Sequence, residues 1–132
     1  MKEPLLCMLL LIFGMFMVAF ICRMYSIRSG NVRFKHYELF ALSEEPAYVK
    51  KTTNNLNNLF QLPPIFIAAC VLALALHIES NSLIFNSWGF VISRYLHTIV
   101  HITYNKVAIR ATIFSVGVYF LVSMWLEIYP RI

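Results

Sequence analysis

Residues 93–125 read SRYLHTIVHITYNKVAIRATIFSVGVYFLVSMW. Two apolar stretches flank a short polar turn at Asn105 and Lys106. Followed outward, the stretches run over roughly 83–104 and 108–129, each about the 20 helical residues that cross a hydrocarbon core. Trp88, Tyr95, Tyr104, Trp125 and Tyr129 fall within them, several near the ends, where interfacial aromatics belong. Two further apolar runs precede this pair, at roughly 5–22 and 59–76. The reading is an all-α, integral membrane four-helix bundle in one domain over 1–132, with helices at about 5–24, 56–77, 83–104 and 108–129.

Composition agrees. Of the 132 residues, 60% are hydrophobic and 13% charged, too apolar for a soluble domain of this size. The formal charge of +5 does not point to nucleic acid, because the positive residues gather in particular loops. Arg23, Arg28, Arg33, Lys35, Lys50 and Lys51 lie between the first two runs, and Lys106 and Arg110 between the last two, whereas the second link carries only Glu79. The positive-inside rule then places the loop at about 26–55 and the 104–110 turn in the cytoplasm, with both termini outside. Lys2 and the first apolar run resemble a signal peptide, but no small-x-small site follows, so the run reads as a retained helix. The long loop holds Phe34, Tyr37, Leu39 and Phe40, and is expected to fold partly against the cytoplasmic face. Cys7, Cys22 and Cys70 lie in apolar runs without metal or disulfide spacing, and read as packing residues.

Polar side chains at membrane depth are costly and tend to mark function. Lys51, Asn54, Asn58 and Gln61 recur at helical spacing on one face. Pro63 and Pro64 follow, each unable to donate a backbone hydrogen bond, which frees carbonyls near Leu59 and Phe60. A second row comprises Arg94, His97, His101 and Asn105. A lone arginine at the bilayer centre costs roughly 2.5–3.5 kcal/mol, so a carboxylate, several carbonyls, water or a bound anion must compensate it. With Lys106 and Arg110, both rows suit a ligand with an anionic end, meeting a lipophilic second molecule from the bilayer. Three plainer readings stay open. Asn, Gln and His side chains can simply hydrogen-bond helices together, for about 0.6 kcal/mol each. Arg94 can bridge to a neighbouring helix. His97 and His101 are spaced to share a metal, but no third ligand accompanies them, so no metal site is expected.

On these residues the chain resembles the MAPEG family, membrane-associated proteins in eicosanoid and glutathione metabolism. NNLNNLFQLPPIF (54–66) and the opening stretch carry the likeness, above all R-x-x-H-T-I at 94–99, N-K at 105–106 and VG…SMW at 116–125, which look like the prostaglandin-synthase branch and its small bacterial relatives. The resemblance implies a four-helix protomer in a homotrimer, in a bacterial inner membrane, with glutathione as co-substrate between protomers on the cytoplasmic side. It implies glutathione contacts from Lys51, Asn54, Asn58, Gln61, Arg94, His97 and His101, with Lys106 at the place of a thiol-activating arginine and Arg110 beside it. The activity implied is a glutathione-dependent transferase or peroxidase for lipophilic electrophiles.

The sequence departs from the pattern where it matters chemically. On the first row, only Asn58 is retained; Lys51 replaces an arginine, Asn54 a second arginine, and Gln61 a glutamate. Gln61 offers a neutral acceptor where glutamate would bind an ammonium by charge, and Lys51 lacks the planar fork that grips carboxylates. His101 stands where the branch has tyrosine. The family also holds non-catalytic members, so a lipid-binding protein or a subunit of a larger membrane complex is the alternative, with membrane lipids and other copies of the chain as partners.

Overall fold

The computed structural model describes residues 1–32 and 45–132. Five α-helices occur there: α1 (Lys2–Arg28), α2 (Ala47–Leu59), α3 (Pro63–Ala75), α4 (Asn81–Ile102) and α5 (Val107–Ile128), with a closing 3-10 turn at Tyr129–Arg131. They make four spans, because α2 and α3 are halves of one interrupted helix. The stretches Lys2–Arg28, Ala47–Ala75 and Val107–Arg131 are each long and apolar enough to cross a membrane. α4 has 22 residues, about 33 Å, the length of a span. It is less apolar because one side carries the polar row. The fold is an all-α membrane four-helix bundle. The apolar residues expected to fold from the first loop, Phe34, Tyr37, Leu39 and Phe40, lie outside the described residues.

Local chemistry explains the boundaries. α2 starts at Ala47, well before the apolar run, because Val49, Thr52, Thr53, Leu56 and Leu59 recur on one buried face. Residues 47–55 therefore belong to the second span, although their polar composition reads as loop. Pro63 and Pro64 end α2. Without their N–H groups the chain tightens, and the Phe60 and Gln61 amides bond the carbonyls of Asn57 and Asn58, three residues back, at 3.2 Å each. α3 then starts with the prolines in its first turn, where a missing N–H costs nothing. Ser80 caps α4, its hydroxyl accepting from the Leu83 amide at 3.0 Å. α4 ends where Asn105 adopts φ +54, and the Asn105 amide returns to the Val100 carbonyl at 2.8 Å.

The core joins Met8, Leu11 and Met15 of α1 to Phe66, Ala69 and Ala73 of α3, Leu83 and Phe90 of α4, and Leu121 and Met124 of α5. Phe66 and Phe90 stack with centroids 4.7 Å apart. Cys70 is buried in this core, while Cys7 and Cys22 are half-buried; all three are free thiols. Helices gain little from the hydrophobic effect against one another in lipid, so close packing must hold them. α4 and α5 achieve it through glycine: a Cβ on Gly89 would fall 2.6 Å from the Phe120 ring. Lateral hydrogen bonds add to it, from Tyr95 Oη to the Cys7 carbonyl (2.9 Å) and Arg23 Nη2 to Thr53 Oγ1 (3.2 Å).

Candidate functional site

The polar row of α4 faces inward. Arg94, His97 and His101 are all buried, and Arg94 is only 1% exposed. Its guanidinium lies in the α4–α5 seam, where Nη2 donates to the Phe114 carbonyl at 3.3 Å and Nε to Ser93 Oγ at 3.5 Å. Its carbon also sits 4.8 Å from the centroid of the Phe114 ring and 5.4 Å from that of Phe90. Gly117 makes the room: a Cβ there would come within 2.5 Å of both Arg94 Nη2 and Ser93 Oγ. The compensation the sequence demanded thus comes in part from this chain's own carbonyl, hydroxyl and aromatic faces. Nη1 remains buried with no hydrogen-bond partner among the described residues. One turn on, the His97 and His101 rings lie 5.6 Å apart, and His101 Nδ1 is also buried and unpartnered among the described residues.

The row on α2 faces the other way. Asn54 and Gln61 are exposed, and Lys51 and Asn58 half-buried. Asn58 Nδ2 approaches Gln61 Oε1 at 3.5 Å. Within one chain the two rows meet only at their ends, where Lys51 Nζ donates to the Thr103 carbonyl just past α4. The inner side of α2 contributes a different residue, Asn55. It is fully buried and donates to Thr98 Oγ1 at 3.3 Å, tying α2 to α4. The sequence row passed it over by one position. The signal was available, since Asn55 falls in register with Thr52, Leu56 and Leu59, the buried set.

Lys106 and Arg110 stand where α4 hands over to α5. Lys106 is exposed at the N-cap of α5, which has no side-chain cap. Arg110 is half-buried and donates through Nη1 to Asn105 Oδ1. The open amides at the start of α5 add a partial positive charge to these two cations. Arg23, Arg28, Lys50 and Lys51 occupy the same end of the bundle, and Glu45 is its acid among the described residues. Glu3, Glu79 and Glu127 lie at the opposite end, where Glu127 accepts from Ser80 and faces Arg131 at 4.0 Å. Such a field favours an anionic ligand at the basic end. Among the described residues no three His, Cys, Asp or Glu side chains are grouped to hold a metal ion.

Fold and site together define a polytopic membrane protein with its polar chemistry concentrated toward one end of a helix bundle. Over residues 4–129, nearly the whole chain, the sequence matches the model of the MAPEG family, and the protein belongs to that family. No curated protein and no solved structure matches it.

Proposed function

We propose that the protein is a glutathione-dependent transferase or peroxidase for lipophilic electrophiles, working at sites completed by a neighbouring copy in a homotrimer. The observation that carries this reading is the outward polar face of α2. Asn54 is exposed and Asn58 half-buried on α2, and Gln61 is exposed in the turn just after it, all within a 29-residue stretch long and apolar enough to cross a membrane. Lipid cannot satisfy these groups. A second copy that sets its basic end against this face encloses a cleft rich in amides and cations. Glutathione, with two carboxylates and one ammonium, suits such a cleft. Lys51, Asn54, Asn58 and Gln61 would hold its backbone and termini, and His97, His101 and Arg94 Nη1, which has no partner among the described residues, would serve it from α4. Lys106 or Arg110 would favour the thiolate over the thiol, whose free pKa of about 8.5 leaves it mostly protonated at neutral pH. In the transferase case the thiolate sulfur attacks an electrophilic carbon in the bilayer and forms a thioether. The leaving group departs with its bonding electrons or, in an addition, the carbanion takes a proton. In the peroxidase case the sulfur attacks a hydroperoxide oxygen, releasing the alcohol, and a second glutathione converts the sulfenic acid to disulfide and water.

One observation favours the non-catalytic alternative. Arg94 is covered by its own chain, with a carbonyl, a hydroxyl and two rings around it. An arginine so placed can act as a fastening between α4 and α5 alone. Calorimetric titration of the protein in nanodiscs with glutathione separates the readings. The enzyme reading expects saturable binding, an ultraviolet thiolate signal near neutral pH, and a weaker signal in Lys106→Ala. Correctly folded protein that binds no glutathione at millimolar concentration would end it.

A further inference from the structure

A groove of about 620 Å³ runs along the outer face of α4 and α5, meeting the α4 polar row only through Ser93, which accepts from Arg94 Nε. Trp88, Gly89, Ile92 and Leu96 line it from α4, and Val116 and Phe120 from α5. Its two hydroxyls are already engaged, Ser93 Oγ with the Phe90 carbonyl at 2.7 Å and Thr112 Oγ1 with the Ala108 carbonyl at 3.1 Å. Water needs two to four polar partners to stay in such a place, so the occupant is apolar.

Dimensions narrow the choice. From Phe85 to Leu96 the groove follows α4 for about 16 Å at 1.5 Å per residue. Its 620 Å³ then gives a cross-section of about 40 Å², half the roughly 80 Å² of a helix about 10 Å across. A hydrocarbon chain fits along such a groove, whereas a helix of a second copy would rest across its open mouth. Charge supplies the direction. Lys106 lies about 9 Å from the near edge of the groove at Thr112 and about 21 Å from its far edge at Phe120, measured along α5. At the opposite mouth Glu79 and Glu127 are balanced by Lys2 and by Arg131, which faces Glu127 at 4.0 Å, so that end offers an anion no comparable attraction. A chain reaching Phe120 must pass the middle of a core about 30 Å thick, so it is a long one.

We propose that the α4–α5 groove is a resident-lipid site, holding one long acyl chain of an anionic phospholipid whose headgroup lies at Lys106. The acyl groove lies apart from the rest of the glutathione cleft and stands whether or not glutathione binds; only the headgroup seat is shared. Lys106 is common to both readings, so the test varies the groove wall.

The probe is a nanodisc of zwitterionic phosphatidylcholine doped with phosphatidylglycerol carrying brominated 18-carbon chains. Trp88 is the reporter, in a Trp125→Phe background that removes the second tryptophan. Bromine quenching of Trp88 is expected to reach half its limit at a several-fold lower mole fraction for brominated phosphatidylglycerol than for brominated phosphatidylcholine. Ile92→Phe with Val116→Phe fills the groove at two exposed positions, 54% and 46% accessible, without touching the core, and is expected to erase that difference. Equal quenching by the two lipids in the starting protein would overturn the proposal, as would an unchanged difference in the filled variant. Efficient Ile92→Cys crosslinking between copies would overturn it too, because another chain would then cover the groove.

Discussion

At the scale of single residues, Arg94 and Gly117 form one unit. The arginine reaches the Phe114 carbonyl because Gly117 leaves the space a methyl group would fill, 2.5 Å from Nη2. Gly117→Ala must push the guanidinium aside or part the helices, and overpacking of this kind costs about 1–3 kcal/mol. Thermal unfolding in mild detergent should register the loss as a lower midpoint. Gly14 is the control. A Cβ there meets nothing within 4 Å, so Gly14→Ala is expected to leave the midpoint unchanged or raise it, by the up to about 1 kcal/mol that alanine gains over glycine in a helix. Equal losses in the two variants would mean that the Gly117 space is not what seats Arg94. Asn55 invites a gentler test. Asn55→Leu removes its bond to Thr98 together with an acceptor that has no partner among the described residues, and a destabilisation of no more than about 0.6 kcal/mol is expected, the average for such bonds between membrane helices.

At the scale of elements, the second span carries the most information. Its apolar half, α3, was plain in the sequence as an unbroken hydrophobic run. Its polar half, α2, was not. Search by hydropathy discards a segment such as KKTTNNLNN, yet the six buried positions of α2 make it an amphipathic helix against the bundle. The sequence also placed Lys51, Asn54, Asn58 and Gln61 on one face and Arg94, His97 and His101 on another, as helical spacing allows. Spacing cannot say which face a neighbour covers, and the two rows proved opposite in that respect: one buried, one open. The proline pair between the halves has a measurable effect. Pro63→Ala with Pro64→Ala restores two amides able to reach the Leu59 and Phe60 carbonyls, four residues back. Amide exchange over residues 60–66 should slow as the helix becomes continuous. Unchanged or faster exchange there would show that tertiary packing, rather than the missing donors, breaks the helix.

At the scale of the whole molecule, the exposed polar face of α2 sits in tension with a membrane location. Asn54 and Gln61 on a spanning stretch need partners that lipid does not offer, and one chain leaves them open. The described charges are also uneven: one end is strongly basic, while at the other Glu3, Glu79 and Glu127 are matched by Lys2 and Arg131. A closed ring of copies resolves both, since each α2 face can meet a neighbour while every basic end stays on one side of the membrane. For the homotrimer proposed above, the mass of the protein in nanodiscs, corrected for lipid, is expected at three times 15.3 kDa. Changing Asn54 and Gln61 together to leucine should weaken that assembly and leave the helical content unaltered, because neither side chain is buried within its own chain. A monodisperse monomer that stays folded in bilayers would show that α2 meets water or lipid headgroups instead, and the cleft proposed for glutathione would then have no second wall.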